Sequence, residues 1–166
     1  MSIDLRSALG QLALYNKLAN SRLYDACATL SDAERKQERL AFFGSIHGTL
    51  NHIMLGDRIW LARFSGQEAP STGLDAILYE DFGDLRDARA VEDARITALV
   101  EGLTAERLGQ SIRYVNYAGR DCEDPVDLLL LHLFNHQTHH RGQVHDMLSQ
   151  TRVPPPSLDL HRVLRP

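Results

Sequence analysis

Two histidines four residues apart, His136 and His140, stand inside the apolar, helix-periodic segment Leu133-Phe134-Asn135-His136-Gln137-Thr138-His139-His140-Arg141-Gly142-Gln143. On an α-helix, positions i and i+4 lie one above the other with Cβ atoms about 5–6 Å apart. Both imidazoles can therefore reach one cation at the roughly 2.0–2.1 Å typical of zinc–nitrogen bonds. The same spacing also suits two hydrogen-bonded core histidines. The crowding of His132 and His139 around the pair shifts the balance toward a metal.

Two ligands rarely suffice, so a third is expected from another helix. The segment around residue 50 offers His47 and His52, and His52 is the better placed. It shares a face with Ser45, Gly48, Thr49, Leu55, Gly56 and Ile59, and glycines one turn before and after it let a neighbouring helix or ligand approach. Tight helix packing would use the same glycines. His47 points with Phe43 and Met54 instead. Glu92 is a further candidate oxygen ligand, with an ion pair to Arg89 or Arg95 as its competing use. His139 sits about 100° around the helix from His140, and His145 points nearly the opposite way and is expected at the surface. Gln143, almost one turn past His140, can orient a ligand or pack. Arg141 and Tyr114 are weaker candidates for substrate contact, with packing or surface roles the better account.

Four long helical patterns must position these groups. The first runs from about Leu5 to Leu30, followed by Ser31 and Glu34 spaced as a capping box. The second spans about Leu40 to Phe64, with Phe42, Ile46, Leu50, Ile53, Trp60 and Phe64 on its apolar stripe and Gly66 closing it. Gln67 to Gly83 reads as a long connection, pinned by Ile77-Leu78-Tyr79 and able to cover a site. The third helix covers about Leu85 to Leu108, weakened at Gly102. Ser111 to Tyr117 alternates like a strand, and Ala118-Gly119-Arg120-Asp121 reads as a turn, which predicts a short β-hairpin. Asp124-Pro125, a capping carboxylate before a proline at the first helical position, starts a fourth helix that continues to about Ser149, ahead of Pro154-Pro155-Pro156. The expected fold is all-α: one four-helix bundle over residues 1–166, with long connections, a hairpin before the last helix and ligands projecting inward.

Composition agrees with a soluble domain. The chain has 166 residues, 43% hydrophobic and 24% charged, enough to bury a sizeable core. A formal net charge of −4 and scattered arginines argue against nucleic-acid binding. Met1-Ser2-Ile3-Asp4-Leu5-Arg6 does not open like a leader peptide, and no apolar run approaches a membrane span, so a cytoplasmic location is expected. Cys27 and Cys122 form no CxxC. They read as packing or surface residues, and any metal is expected on histidine and oxygen.

The segment from Leu131 to Gln143 resembles the signature last helix of the DinB-like family. Tyr15-Asn16-Lys17-Leu18-Ala19-Asn20 is similar to that family's first-helix pattern, and Leu50-Asn51-His52-Ile53-Met54-Leu55-Gly56-Asp57-Arg58-Ile59-Trp60 resembles its second. The resemblance implies a four-helix bundle, often a homodimer, holding a divalent metal on His52, His136 and His140; zinc, nickel, iron and manganese are all compatible. It also implies metal-dependent transferase or isomerase chemistry with a low-molecular-weight thiol such as bacillithiol or mycothiol. Three imidazoles leave coordination positions open for such a thiol or for water, so a transferase or hydrolase is one expectation. A non-catalytic metal-binding or stress-response protein is the other.

Overall fold

The computed structural model describes residues 4–166; Met1, Ser2 and Ile3, part of the stretch read above as unlike a leader, lie outside the described residues. The elements in order are α1 (Leu5–Ala28), α2 (Asp32–Lys36), α3 (Ile46–Phe64), α4 (Phe82–Glu101), α5 (Ala105–Leu108), β1 (Ser111–Val115), β2 (Asp121–Pro125), α6 (Val126–Ser149) and α7 (Leu160–Leu164). The four long helices close a ring, α1 against α4, α4 against α3, α3 against α6 and α6 against α1. This is the expected four-helix bundle with its antiparallel hairpin, Ser111 opposite Pro125, just before α6.

Local chemistry sets the boundaries. Asp4 caps α1 by accepting the Ser7 N–H. The Ser31 and Glu34 capping box forms and starts the short α2. The second long helix begins at Ile46 rather than near Leu40, because Ser45 caps it through the Gly48 N–H and Gly44, at φ +70°, turns the chain just before. Leu40 and Phe42 are consequently exposed, and Phe42 is not part of the apolar stripe. Gly66, at φ +67°, follows the end of α3 as expected. The third pattern is two helices: α4 stops before Gly102, and Thr104 restarts the chain as α5 by accepting the Arg107 N–H. Pro125 is the cap of α6 rather than its first residue, and Asp124 accepts a hydrogen bond from the Tyr114 hydroxyl instead of capping. No described helix is long and apolar enough to cross a membrane.

The apolar core is split in two. Leu23, Ile46, Leu50, Ile53, Leu85 and Met147 belong to one cluster; Leu9, Ile96, Leu130, Leu133 and Phe134 belong to the other. Between them lies a polar layer to which every long helix contributes: Asn16 and Asn20 from α1, Asp57 from α3, Arg89 and Asp93 from α4, Gln137 and Arg141 from α6, all buried. Arg89 donates to Asp57 Oδ2 and its Nη2 lies 3.0 Å from Asp93 Oδ1. Gln137 also donates to Asp57, Asn16 and Asn20 donate to Asp93, and Arg141 donates to Asn16, Asn20 and Gln137. Mutual pairing of this kind is what permits so many buried polar groups.

Candidate metal centre

At the level of this polar layer, α3 and α6 bring His52, His136 and His140 together. Nε2 of His52 lies 3.1 Å from Nε2 of His136 and 3.2 Å from Nε2 of His140, and one ligand atom from each residue falls within 4.8 Å of the others. Nitrogens around a tetrahedral zinc stand about 3.4 Å apart, given bonds of about 2.0–2.1 Å. The spacing fits a cation.

Hydrogen bonds at the far side of two rings decide which nitrogens face inward. Nδ1 of His52 donates to the Leu74 carbonyl at 2.8 Å, and a carbonyl can only accept, so Nε2 carries the lone pair. Nδ1 of His140 donates to Gln143 Oε1 at 2.7 Å. The Gln143 amide is oriented by its Nε2, which donates to His139 Nε2 at 3.4 Å. Two bare lone pairs thus point into one space, where neither ring can donate to the other. Protonation does not fill that space: burial pushes His136 down to about 3 and His140 down to about 4, with the neighbouring imidazoles adding to the shift, and burial also lowers His52. At neutral pH all three rings are neutral donors to a metal.

The surroundings shape the centre. A Cβ on Gly56 would lie 2.7 Å from Cε1 of His136, so this glycine provides the space in which that ring stands. Gly48 has a different role, since a Cβ there would meet the Phe43 carbonyl oxygen at 2.4 Å. Phe43 stacks on His52, with centroids 3.8 Å apart and planes at 19°. His136 is half-buried, and beyond it His132 packs edge-on to Trp60 at the surface. The connection from 65 to 81 lies over α3. Asn51 Oδ1 accepts the Leu78 and Tyr79 N–H groups, and His47 Nε2 donates to the Tyr79 carbonyl. The expected pinning therefore holds for Leu78 and Tyr79, whereas Ile77 is exposed.

Other candidates fall elsewhere. His47 is buried and turned to Tyr79; His139 only flanks the centre. His145 is half-buried rather than exposed, because it donates to the Pro156 carbonyl. Glu92 pairs with Arg95 at 2.8 Å and Arg58 at 3.3 Å. Arg141 is locked in the polar layer. Tyr114 donates to Asp124, with the Arg63 guanidinium over its ring. Cys27 is buried and burial pushes its thiol up to about 12, far from a reactive thiolate. The sequence reading missed the Leu74 carbonyl, the Asn51 clasp and the polar layer. The Asn16/Asn20, Arg89/Asp93 and Gln137/Arg141 pairs, each at i, i+4, are the signal that pointed to the last.

The sequence profile of the DinB family matches residues 1–166. Protein DinB of Bacillus subtilis (strain 168) is 30% identical over 144 residues, covering 82% of this chain and 81% of that protein. The crystal structure of a DinB-like protein from Bacillus cereus ATCC 10987 has a TM-score of 0.58 to this one. It covers 84% of this chain and 89% of its own at 21% identity, a likeness of fold.

Proposed function

The chain belongs to the DinB family, and from that premise we propose that His52, His136 and His140 hold one divalent cation through their Nε2 atoms and that the centre serves a metal-dependent transferase or hydrolase. The observation that carries this reading is the convergence of the His52 and His140 lone pairs, each fixed by a hydrogen bond behind its ring. A divalent cation held there supplies Lewis acidity, which lowers the pKa of a thiol or water that reaches it to the neutral range.

The chain's own residues do the positioning. The Leu74 carbonyl and Gln143 hold two rings in the tautomer the site needs. Phe43 covers one face of His52 and keeps water from it. The half-buried edge of His136 is the side on which a cosubstrate can approach. With Cys27 buried and neither cysteine paired with a histidine, the nucleophile of this reading is a low-molecular-weight thiol or water rather than a protein thiolate.

The test is metal analysis of protein purified without chelator, followed by a thiol-transfer screen with and without chelator. About one metal per chain and thiol-dependent, chelator-sensitive turnover are expected. Protein with no metal would overturn the centre, and stoichiometric metal with no turnover across thiols and water would leave a metal-binding protein.

A further inference from the structure

At the C-terminal end of α3, the connection at residues 69–71 faces the hairpin at Val115–Tyr117 across an open cavity of about 180 Å³ that Arg63 also lines. The Tyr117 hydroxyl ties the two walls together by donating to the Pro70 carbonyl at 3.5 Å. Arg63 is the one charged residue of this lining, which holds no carboxylate. Among the described residues its partners are a carbonyl and two rings: Nη2 donates to Val115 at 3.1 Å, and the guanidinium lies over Trp60 and Tyr114, 4.7 and 4.3 Å from their centroids. We propose that this cavity binds a small carboxylate with an apolar body, its carboxylate group pairing with Arg63.

The charge of Arg63 stands uncompensated. The side chain is half-buried, and burial lowers its pKa against the opposing pull of Tyr114, Tyr117 and Cys122. Burial also pushes the Tyr114 hydroxyl up to about 12 and raises that of Tyr117, so neither supplies a negative charge at neutral pH. The nearby hairpin acids are engaged elsewhere: Asp124 accepts the Tyr114 hydroxyl, and Glu123 pairs with Arg113 at 2.9 Å. Stacking and the bond to Val115 hold the guanidinium in place, and its remaining N–H groups suit a carboxylate, which a planar guanidinium binds through paired hydrogen bonds. Asn116 adds a second donor to the lining. Its Oδ1 accepts the Ala118 and Arg120 N–H groups at 2.9 and 3.1 Å, which leaves Nδ2 with the Cys122 sulfur at 3.5 Å, a weak acceptor. Pro70, the exposed Val115 and the Tyr117 ring offer apolar surface for the rest of the ligand. One guanidinium balances one carboxylate, whereas the second charge of a phosphate would find no second cation in this lining. A water takes roughly 10–15 Å³ by the same measure, so the space suits a small organic molecule.

Trp60 is the chain's one tryptophan and has Arg63 over its ring, so its fluorescence reads the site. The probe is sodium benzoate, with benzamide as a neutral molecule of nearly the same shape and inorganic phosphate as a second anion, all at matched ionic strength. Trp60 emission and calorimetry should show saturable binding of benzoate, with benzamide and phosphate at least tenfold weaker. Arg63→Met keeps an apolar stem over the two rings and should bind benzoate at least tenfold more weakly. The comparison of benzoate with benzamide is made on the parent and stands whether or not that variant folds. His136→Ala should bind benzoate as the parent does, which separates the cavity from the histidine centre. Absence of saturable benzoate binding, benzamide or phosphate within tenfold of benzoate, parent-like affinity in folded Arg63→Met, or loss of binding in His136→Ala would each overturn the proposal.

Discussion

A Cβ placed on Gly56 would stand 2.7 Å from Cε1 of His136, so one imidazole of the cluster occupies the volume that any larger residue at position 56 would claim. Gly56→Ala sets two effects against each other. Alanine favours the helix interior by about 1 kcal/mol, while His136 must swing aside. The expected protein folds at least as well as the parent without metal but holds metal more weakly, by melting temperature and competition titration. Unchanged metal affinity would show that His136 does not contribute.

Replacing His52, His136 or His140 by alanine should abolish stoichiometric metal, whereas His145→Ala, whose ring is spent on Pro156, should keep it. Chelation should lower the melting temperature of the parent and of His145→Ala only. At a hundredfold excess of metal over Kd the stabilisation is about 2.7 kcal/mol. Elemental analysis and thermal melts, with and without chelator, check both expectations.

Gln143→Ala removes the acceptor behind His140 and leaves the three imidazoles in place. Loss of such a supporting hydrogen bond costs metal sites about 10–100-fold in affinity. A competition titration should show that loss, with little change in the melting temperature of the metal-free protein.

Cys27→Ser and Cys122→Ser proteins should keep any thiol-transfer activity, with rates that depend on added thiol and vanish on chelation. Cys27 carries no usable thiolate, and Cys122 lies in the hairpin. A cysteine variant that keeps its fold and metal yet loses activity would point to a protein-borne nucleophile.

Arg89→Leu strands the carboxylates of Asp57 and Asp93 in the middle of the bundle. Removing one partner of a buried ion pair costs about 3–5 kcal/mol. Urea unfolding should show a loss of that size, in contrast to Arg113→Leu, whose pair with Glu123 is exposed.

How far these features could be read from the sequence depends on how local they are. His136 and His140 were legible because helix geometry alone brings them together, and His52 because Gly56 follows it by one turn. The Ser31–Glu34 box is equally local, and so is the hairpin turn, although the sequence places it at Ala118–Asp121 and it begins two residues earlier, at Asn116, because that side chain accepts the Ala118 N–H. The Leu74 carbonyl was not legible, since any residue could supply that backbone acceptor. The polar layer was hidden because periodicity treats Asn16, Asp57 and Arg89 as solvated, and only the packing of four helices shows that they face one another. Leu40 to Ser45 read as helix on apolar content, yet the turn at Gly44 and the cap at Ser45 start the helix later. Asp124 looked like a cap until the hairpin supplied the Tyr114 hydroxyl as its partner.

His52 and His136 are 84 positions apart in the chain, while His136 and His140 share one helix. A cation seated on all three would staple two distant stretches, closing a chain loop whose ends diffuse freely in the unfolded state. The pair on α6 can form as soon as that helix does, but the third bond waits for α3 to dock. Metal loading is therefore tied to a long-range step of assembly, and the metal-free chain should lose the seam between α3 and α6 before it loses either helix.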